Sequence, residues 1–572
     1  MRVKLTSFKG IAPAISPRLI NETFAQVAEN VDFISGALDP IEAEGASEFT
    51  LQNSLRRTVF YYNDANWLEW AEEVDVVDGP IPNDTNKRLY WTGQDYPRVG
   101  YLAGMISGSS GYPAASYRLG VPAPSSAPGV SKSGTPNDGA LVNDVAYVYT
   151  LVTAFGEEGP PSDPSAVLEL QDGESVTVSL PAAHVPSGNY YFSSADGAKK
   201  RIYRSNSGSN TTAFQFVGEV TIATTSFSDT LDAAALGEVI PSTYWIGPPD
   251  DDSSTYPDGP MQGLIPVANG VFAGFSGKRL CLSEPYLPHA WPTAYRLTME
   301  EDIVGIATSN NGVVVLTDGT PYYVTGTDPS AMTAVKVNLP QACINEHSIV
   351  DMGEYVLYAG PDGLCAVESN SGQVVTRGII TIEQWTDDFK ALTYRAFLHD
   401  GTYVAFWDTG SEQGGWVYDP RSTDGAISTL TVDAVRGGYY EPETGDLYVI
   451  VDDDIVKYRG NSTKRTARWR SKEFFTPEPT GMGWIQVIAD DYPVQVEVFL
   501  DGTLIADYTL TKSGSVYTQT TATPSGISAV SLTEPIMRLP NTIGNEWVVE
   551  VTTQHRVHEV TIAQNMEELR AE

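Results

Sequence analysis

The chain has 572 residues, and its 72 Asp and Glu against 35 Lys and Arg leave a formal charge of −37. A protein that grips phosphates needs clustered cations to displace counterions, so this balance disfavours sequence-independent nucleic-acid binding. With 51 Gly, 37 Pro, 19% charged and 10% aromatic residues, the composition is that of a folded, turn-rich β protein, long enough for several cored domains.

Residues 1–40 read as an N-terminal arm with one short helix. Asn21 is placed to cap it, Phe24, Val27, Ala28 and Val31 recur at the spacing of one helical face, and Gly36 ends it, which puts the helix near 22–32. Such an arm either packs on its own domain or hooks a neighbouring subunit. No signal-peptide core and no apolar run of membrane-spanning length is visible, so the expectation is no membrane span. Cys281, Cys343 and Cys365 are odd in number and sit in apolar strands, which fits buried reduced thiols and folding in a reducing cytosol.

Residues 41–125 carry strand-like runs at 58–62, 67–70, 74–77 and 88–92, and read as the first part of a β-propeller. Pro-rich joints at 117–129 and 246–260 bracket residues 130–245, whose alternating runs suggest an inserted fibronectin III-like β-sandwich. From 260 to 470 the turn signals Asn269-Gly270, Asn311-Gly312, Asp362-Gly363, Asp400-Gly401 and Thr444-Gly445 are separated by 42, 51, 38 and 44 residues. That is the period of four-stranded propeller blades, here without a WD or kelch signature. Residues 472–572 form a C-terminal β unit with Asp501-Gly502 as a hairpin turn. The fold class expected is therefore all-β: a propeller core, an inserted sandwich and a C-terminal β unit.

The chain lacks the signatures GxSxG, GxxxxGK[ST], HExxH, GxGxxG and CxxC, so the usual nucleophile, phosphate and zinc sites have no local support. His555 and His558 are three apart on or between strands, which sends their rings to opposite faces and argues against zinc. The acidic clusters Asp250–Asp252, Asp452–Asp454 and Asp490-Asp491 do not follow calcium-loop spacing and read as solvated turns. The basic runs at 199–201 and 464–472 are short. No catalytic, cofactor-binding or metal-binding residue is assigned, and no cofactor is expected.

The segments FKGIAP at 8–13, ENVDFISGALDP at 29–40, SEPYLPHAWP at 283–292, LPQAC at 339–343, YAGPDGL at 358–364, RWRSK at 468–472, MRLP at 537–540 and WVVEV at 547–551 resemble, in order along nearly the whole chain, virion structural proteins of tailed phages. The resemblance is to the tail nozzle, or tail tubular protein B, class of short-tailed phages. It implies a non-enzymatic subunit of a six-fold homo-oligomeric ring that closes the DNA channel and docks on tail tube or adaptor proteins. It also implies that the ring bears tail fibres, lets genomic DNA pass without tight binding, and is assembled in the host cytoplasm. Under it, residues 8–40 secure each subunit to the ring. Two rivals remain: a receptor- or glycan-binding tail fibre component using Trp67, Trp70 and Trp91, and a glycosidase with two carboxylates converging at a channel mouth.

Overall fold

A computed structural model describes residues 1–571 except 109–111, 182–188, 208–211, 311, 370, 423–425 and 524–525. The protein is all-β; among the described residues the α-helices are the short segments Leu102–Met105, Ile382–Asp387 and Met566–Leu569. The chain divides into two compact units, residues 60–336 and residues 1–59 with 337–572.

The 60–336 unit contains three antiparallel meanders of four consecutive strands. The first is Asp75–Asp78, Leu89–Thr92, Arg98–Gly100 and Tyr117–Arg118; the second Gln262–Val267, Val271–Ser276, Arg279–Leu282 and Leu297–Thr298. The third is Ile303–Ser309, Gly312–Thr317, Tyr322–Thr325 and Thr333–Lys336. Strands Val271–Ser276 and Gly312–Thr317 are buried along their whole length. Both faces are covered, which is why GVVVLT is an unbroken apolar run instead of an alternating one. Val77, Tyr90, Met261 and Phe272 join the first meander to the second, and Phe275, Leu280, Ile306 and Val315 join the second to the third.

Between the first two meanders, the sheet Gly129–Gly134, Glu174–Ser179 and Ser226–Asp229 faces the sheet Tyr147–Val152, Lys199–Ser207 and Thr212–Thr221. Their shared core includes Tyr147, Tyr149, Leu151, Val176, Val178 and Ile202. This small sandwich is tied to the first meander by a buried ion pair, Arg88 Nη1 to Glu157 Oε1 at 2.7 Å. Stacked rings tie it as well, with Tyr117 to Tyr191 at 4.5 Å and Tyr101 to Tyr191 at 5.3 Å.

The second unit also holds three four-stranded meanders. One is Val350–Asp351, Val356–Gly360, Gly363–Glu368 and Ser371–Val374; the next is Arg395–His399, Thr402–Asp408, Gln413–Asp419 and Ala426–Leu430. The helix Ile382–Asp387 between them is closed by a Thr381/Gln384 capping box, and its fully buried Trp385 donates Nε1–H to Gly360 O at 2.9 Å. The last meander has three consecutive strands, Val435–Glu441, Asp446–Val451 and Asp454–Lys457, and takes its fourth, Ser47–Thr50, from the N-terminal segment. The turns Asp400-Gly401 and Asp501-Gly502 have positive φ at both residues, as two-residue hairpins with strand-matched twist require.

C-terminal strands form two packed sheets. Arg2–Leu5, Val557–Ala563, Trp484–Ala489 and Ile536–Arg538 make one. The other belongs to a larger sheet running from Ala467–Ser471 through Gly544–Thr553, Val494–Leu500, Thr503–Ser513 and Val516–Thr523 to Gly526–Leu532. Between them lie Ile485, Val487, Val496, Val498, Val549 and Ile562, all within one core.

The helix expected near 22–32 is absent. Ala25–Glu29 is a strand, antiparallel to Ala467–Ser471, with one parallel bridge from Glu29 to Thr429. Asn30, at φ 56, turns the chain into the short strand Val31–Asp32. Its side chain accepts from Thr431 N at 3.0 Å and donates to Thr466 O at 3.0 Å. Helical spacing alone lost to tertiary pairing, because Ala25 and Ala28 are small enough to lie in the core with Trp469. Residues 8–40 are also largely occupied within their own chain. Phe8 meets Trp469 edge-on at 4.9 Å, and Trp469 donates to Lys9 O at 3.0 Å. Leu38 bridges to Val557.

Candidate functional site

The residues singled out in the sequence are mostly spent on the fold. Both basic runs turn onto carboxylates. Arg201 pairs with Glu158 at 2.8 Å, and Lys199 and Arg201 share Glu219. Buried Lys200 donates to Thr224 O at 2.9 Å and to Pro181 O at 3.3 Å. In the second run Lys464 binds Glu42 at 2.7 Å, Arg465 binds Glu44, and Arg468 and Arg470 converge on buried Glu550. Burial works against the Glu42 carboxylate, but Lys464 and Arg459 hold its pKa down at about 2.

The acidic clusters are turns and ion-pair partners. Arg118 bridges Asp250 and Asp251, at 3.3 and 2.7 Å, while Asp252 accepts from Ser254 and Thr255 hydroxyls. Asp453 holds Arg436 at 2.8 Å, and Asp454 accepts from Ser47 and Thr50. His558 Nε2 lies 2.6 Å from Asp490 Oδ1 at the surface. Among the described residues no group of three His, Cys, Asp or Glu is placed to hold a metal ion. The three cysteines are buried and unpaired, and burial lifts their thiols to about 11 for Cys281 and about 12 for Cys343 and Cys365.

The tryptophans proposed as exposed binding aromatics are not exposed. Trp67, Trp70 and Trp91 are 9%, 3% and 1% accessible. Trp70 packs edge-on to Trp91 at 5.7 Å, and Trp91 donates to Gln94 at 3.0 Å. Tryptophans in neighbouring strands supply core rings as readily as binding rings, and here the core took them.

Two concave regions of the second unit went unseen in the sequence. The larger is an open groove of about 900 Å³ beside the 350–374 meander, lined by Tyr355, Glu368, Ser371, Gln373 and Tyr418 over Leu357. Its mix of rings, an amide, a hydroxyl and a carboxylate can stack on and hydrogen-bond a polar ligand. A small pocket lies where residues 31–33 and 41 meet the 395–430 meander, lined by Asp32, His399, Thr402, Asp419 and Arg459. Arg459, at φ 55, is pinned by Asp32 at 3.1 Å and Glu42 at 2.9 Å. Burial, helped by Arg459, lowers His399 to about 4, so its imidazole is neutral at pH 7. The pocket's cation and carboxylate are committed to each other. No local motif marks either region: the pocket gathers residues from 31–41, 399–428 and 458–459, while the groove is built mostly from residues 355–375 with Tyr418 and Pro420 added.

No helix among the described residues is long and apolar enough to cross a membrane. No protein-family model matches the chain, and no curated protein matches it. Solved structures give weak likenesses. PorZ, a surface component of the type-IX secretion system of Porphyromonas gingivalis, is 11% identical with a TM-score of 0.26 over 86% of this chain and 46% of its own, so the chain spans under half of PorZ. The N-terminal domain of Nup159 is 8% identical with a TM-score of 0.23 over 61% of this chain and 87% of its own. The dihydro-heme d1 dehydrogenase NirN is 11% identical with a TM-score of 0.23 over 70% of this chain and 74% of its own. No activity is carried over from any of them.

Proposed function

We propose that this chain is a non-enzymatic structural subunit of a phage tail, forming the nozzle ring that retains packaged DNA and lets it pass at ejection. In this reading the four-stranded meanders are propeller blades, the sandwich around 129–229 is fibronectin III-like, and copies assemble in the host cytoplasm onto tail tube or adaptor proteins. What carries it, beside the sequence resemblance, is the disposition of charge. A chain of net charge −37 has turned most cations of its two basic runs onto its own carboxylates, which suits a wall past which DNA slides without sticking. The purified protein should show no duplex-DNA binding even at low salt, and an antibody or tag on it should mark the distal tail in electron micrographs of virions. Salt-sensitive micromolar DNA binding, or a label elsewhere on the particle, would overturn the reading.

A second reading, a receptor- or glycan-binding tail component, draws on the groove with Tyr355, Gln373 and Tyr418. Binding to host surface glycans that is lost in Tyr355→Ala would favour it.

A further inference from the structure

The strand Gly526–Leu532 ends the large sheet: Val516–Thr523 pairs with one of its edges, and no strand among the described residues pairs with the other. An open edge presents a row of main-chain N–H and C=O groups to any extended chain, and proteins ordinarily guard it with charge, proline or brevity. Several other terminal strands carry charge, and Ile303–Ser309, which likewise lacks charge and proline, is mostly buried. Arg2–Leu5 carries Arg2 and Lys4, Ser47–Thr50 carries Glu48, Thr333–Lys336 ends in Lys336, and Arg395–His399 begins with Arg395. Ile536–Arg538 is three residues long. Gly526–Leu532, with the sequence GISAVSL, has seven residues with neither charge nor proline. Ser528, Ala529, Val530 and Ser531 are exposed, Val530 at 53%.

The same strand also lies in a stretch poor in charge. Residues 508–533 contain no Asp or Glu and one cation, Lys512, in a chain with 72 carboxylates among 572 residues. Two copies of a polyanion repel wherever carboxylates face each other, and the repulsion is least across a carboxylate-free edge. Evenly spaced amides and carbonyls are matched by another β-strand, whereas a nucleic acid or a lipid surface offers no such ladder.

We propose that the Gly526–Leu532 edge joins this chain to a second copy of itself by strand addition. The contact is main-chain hydrogen bonding flanked by uncharged side chains such as Ser528, Val530 and Ser531. Its strength rises with salt, since screening removes the repulsion of the remaining surface. The inference holds whether or not the tail assignment does: a chain that assembles through this edge but is missing from virions keeps the inference and loses the assignment.

The test is the assembly state of the full chain by sedimentation velocity at physiological salt across a wide concentration range. The wild type should assemble. The double variant Ser528→Glu/Val530→Glu should assemble at least about tenfold more weakly, a difference of about 1.4 kcal/mol, and Ser528→Thr/Val530→Thr should assemble like the wild type. A monomeric wild type, a Glu variant that assembles unchanged, or a Thr variant as defective as the Glu variant would overturn the proposal. Because the Glu variant could fail to fold, hydrogen exchange of the wild type provides an independent reading. Amides in 526–532 should gain protection on assembly, and unchanged exchange there would equally overturn it.

Discussion

The two compact units build the same object by different means. In residues 60–336 every meander is made of consecutive strands, so each hairpin follows its neighbour and its turn signal. In the other unit, the last meander borrows Ser47–Thr50, the middle one abuts Glu29, and the C-terminal sheet takes Arg2–Leu5 at its edge. Local pairing costs little loop entropy, whereas joining residues 2–5 to 560–563 closes nearly the whole chain. Sequence proximity thus builds the meanders of one unit, and a threaded N-terminal segment ties together the other.

The sharpest way to break this comparison is to delete residues 1–50. The unit of 337–572 should lose cooperative folding, with its amides exchanging freely, while peptides from 60–336 keep their protection in hydrogen-exchange mass spectrometry. Equal loss in both would refute the division. Next in size are two single changes of comparable cost that should act on opposite units. Trp469→Ala removes a fully buried ring against which Phe8 packs, and should destabilise the 337–572 unit by about 3–5 kcal/mol. Glu157→Ala strands buried Arg88 beside Asp84 alone, and should cost the 60–336 unit about 3 kcal/mol. Denaturant melts followed by peptide-resolved exchange would assign each loss.

Acid provides a graded probe. His399 is buried neutral with its pKa lowered to about 4, so the unfolded chain takes up the proton first. Its contribution is complete above pH about 6.5 and is lost as pH falls toward 4, for a total of up to about 3 kcal/mol. His399→Gln should flatten that part of the stability-against-pH curve for the 337–572 unit. His289, buried near Glu157, Glu158 and Arg88, is likewise lowered by burial, and gives the 60–336 unit a dependence of the same sign. The smallest expected effect is at the turns: Asp400→Ala and Asn269→Ala, at φ 45 and φ 63, should each cost about 1 kcal/mol in their own unit.

What could be read from sequence follows the same division. Asn269-Gly270 and Asp400-Gly401 announced their hairpins because a turn needs only adjacent residues with positive φ. Phe24, Val27, Ala28 and Val31 suggested a helix because nothing nearby reveals that Ala467–Ser471 is waiting to pair with them. The carboxylate partners of the 464–472 run are hidden from a local reading for the same reason, since Glu550 and Glu42 lie far away in sequence. The pocket at His399 is made by neighbours that only the fold creates, and the groove at Tyr355, although built mostly from residues 355–375, takes Tyr418 from another strand.

The threading of the N-terminal segment also fixes an order of events at the ribosome. Residues 2–5 emerge more than 550 residues before their partners at 560–563. At roughly 5–20 residues per second the interval is on the order of half a minute to two minutes. Throughout it, a strand-forming segment with Phe8, Ala25 and Ala28 uncovered has no docking surface, while residues 60–336 can already complete their meanders. Newborn chains therefore carry a sticky, undocked segment ahead of a finished middle, and a chaperone that shields short apolar segments should raise the yield of this protein by covering residues 2–28 rather than the bulk.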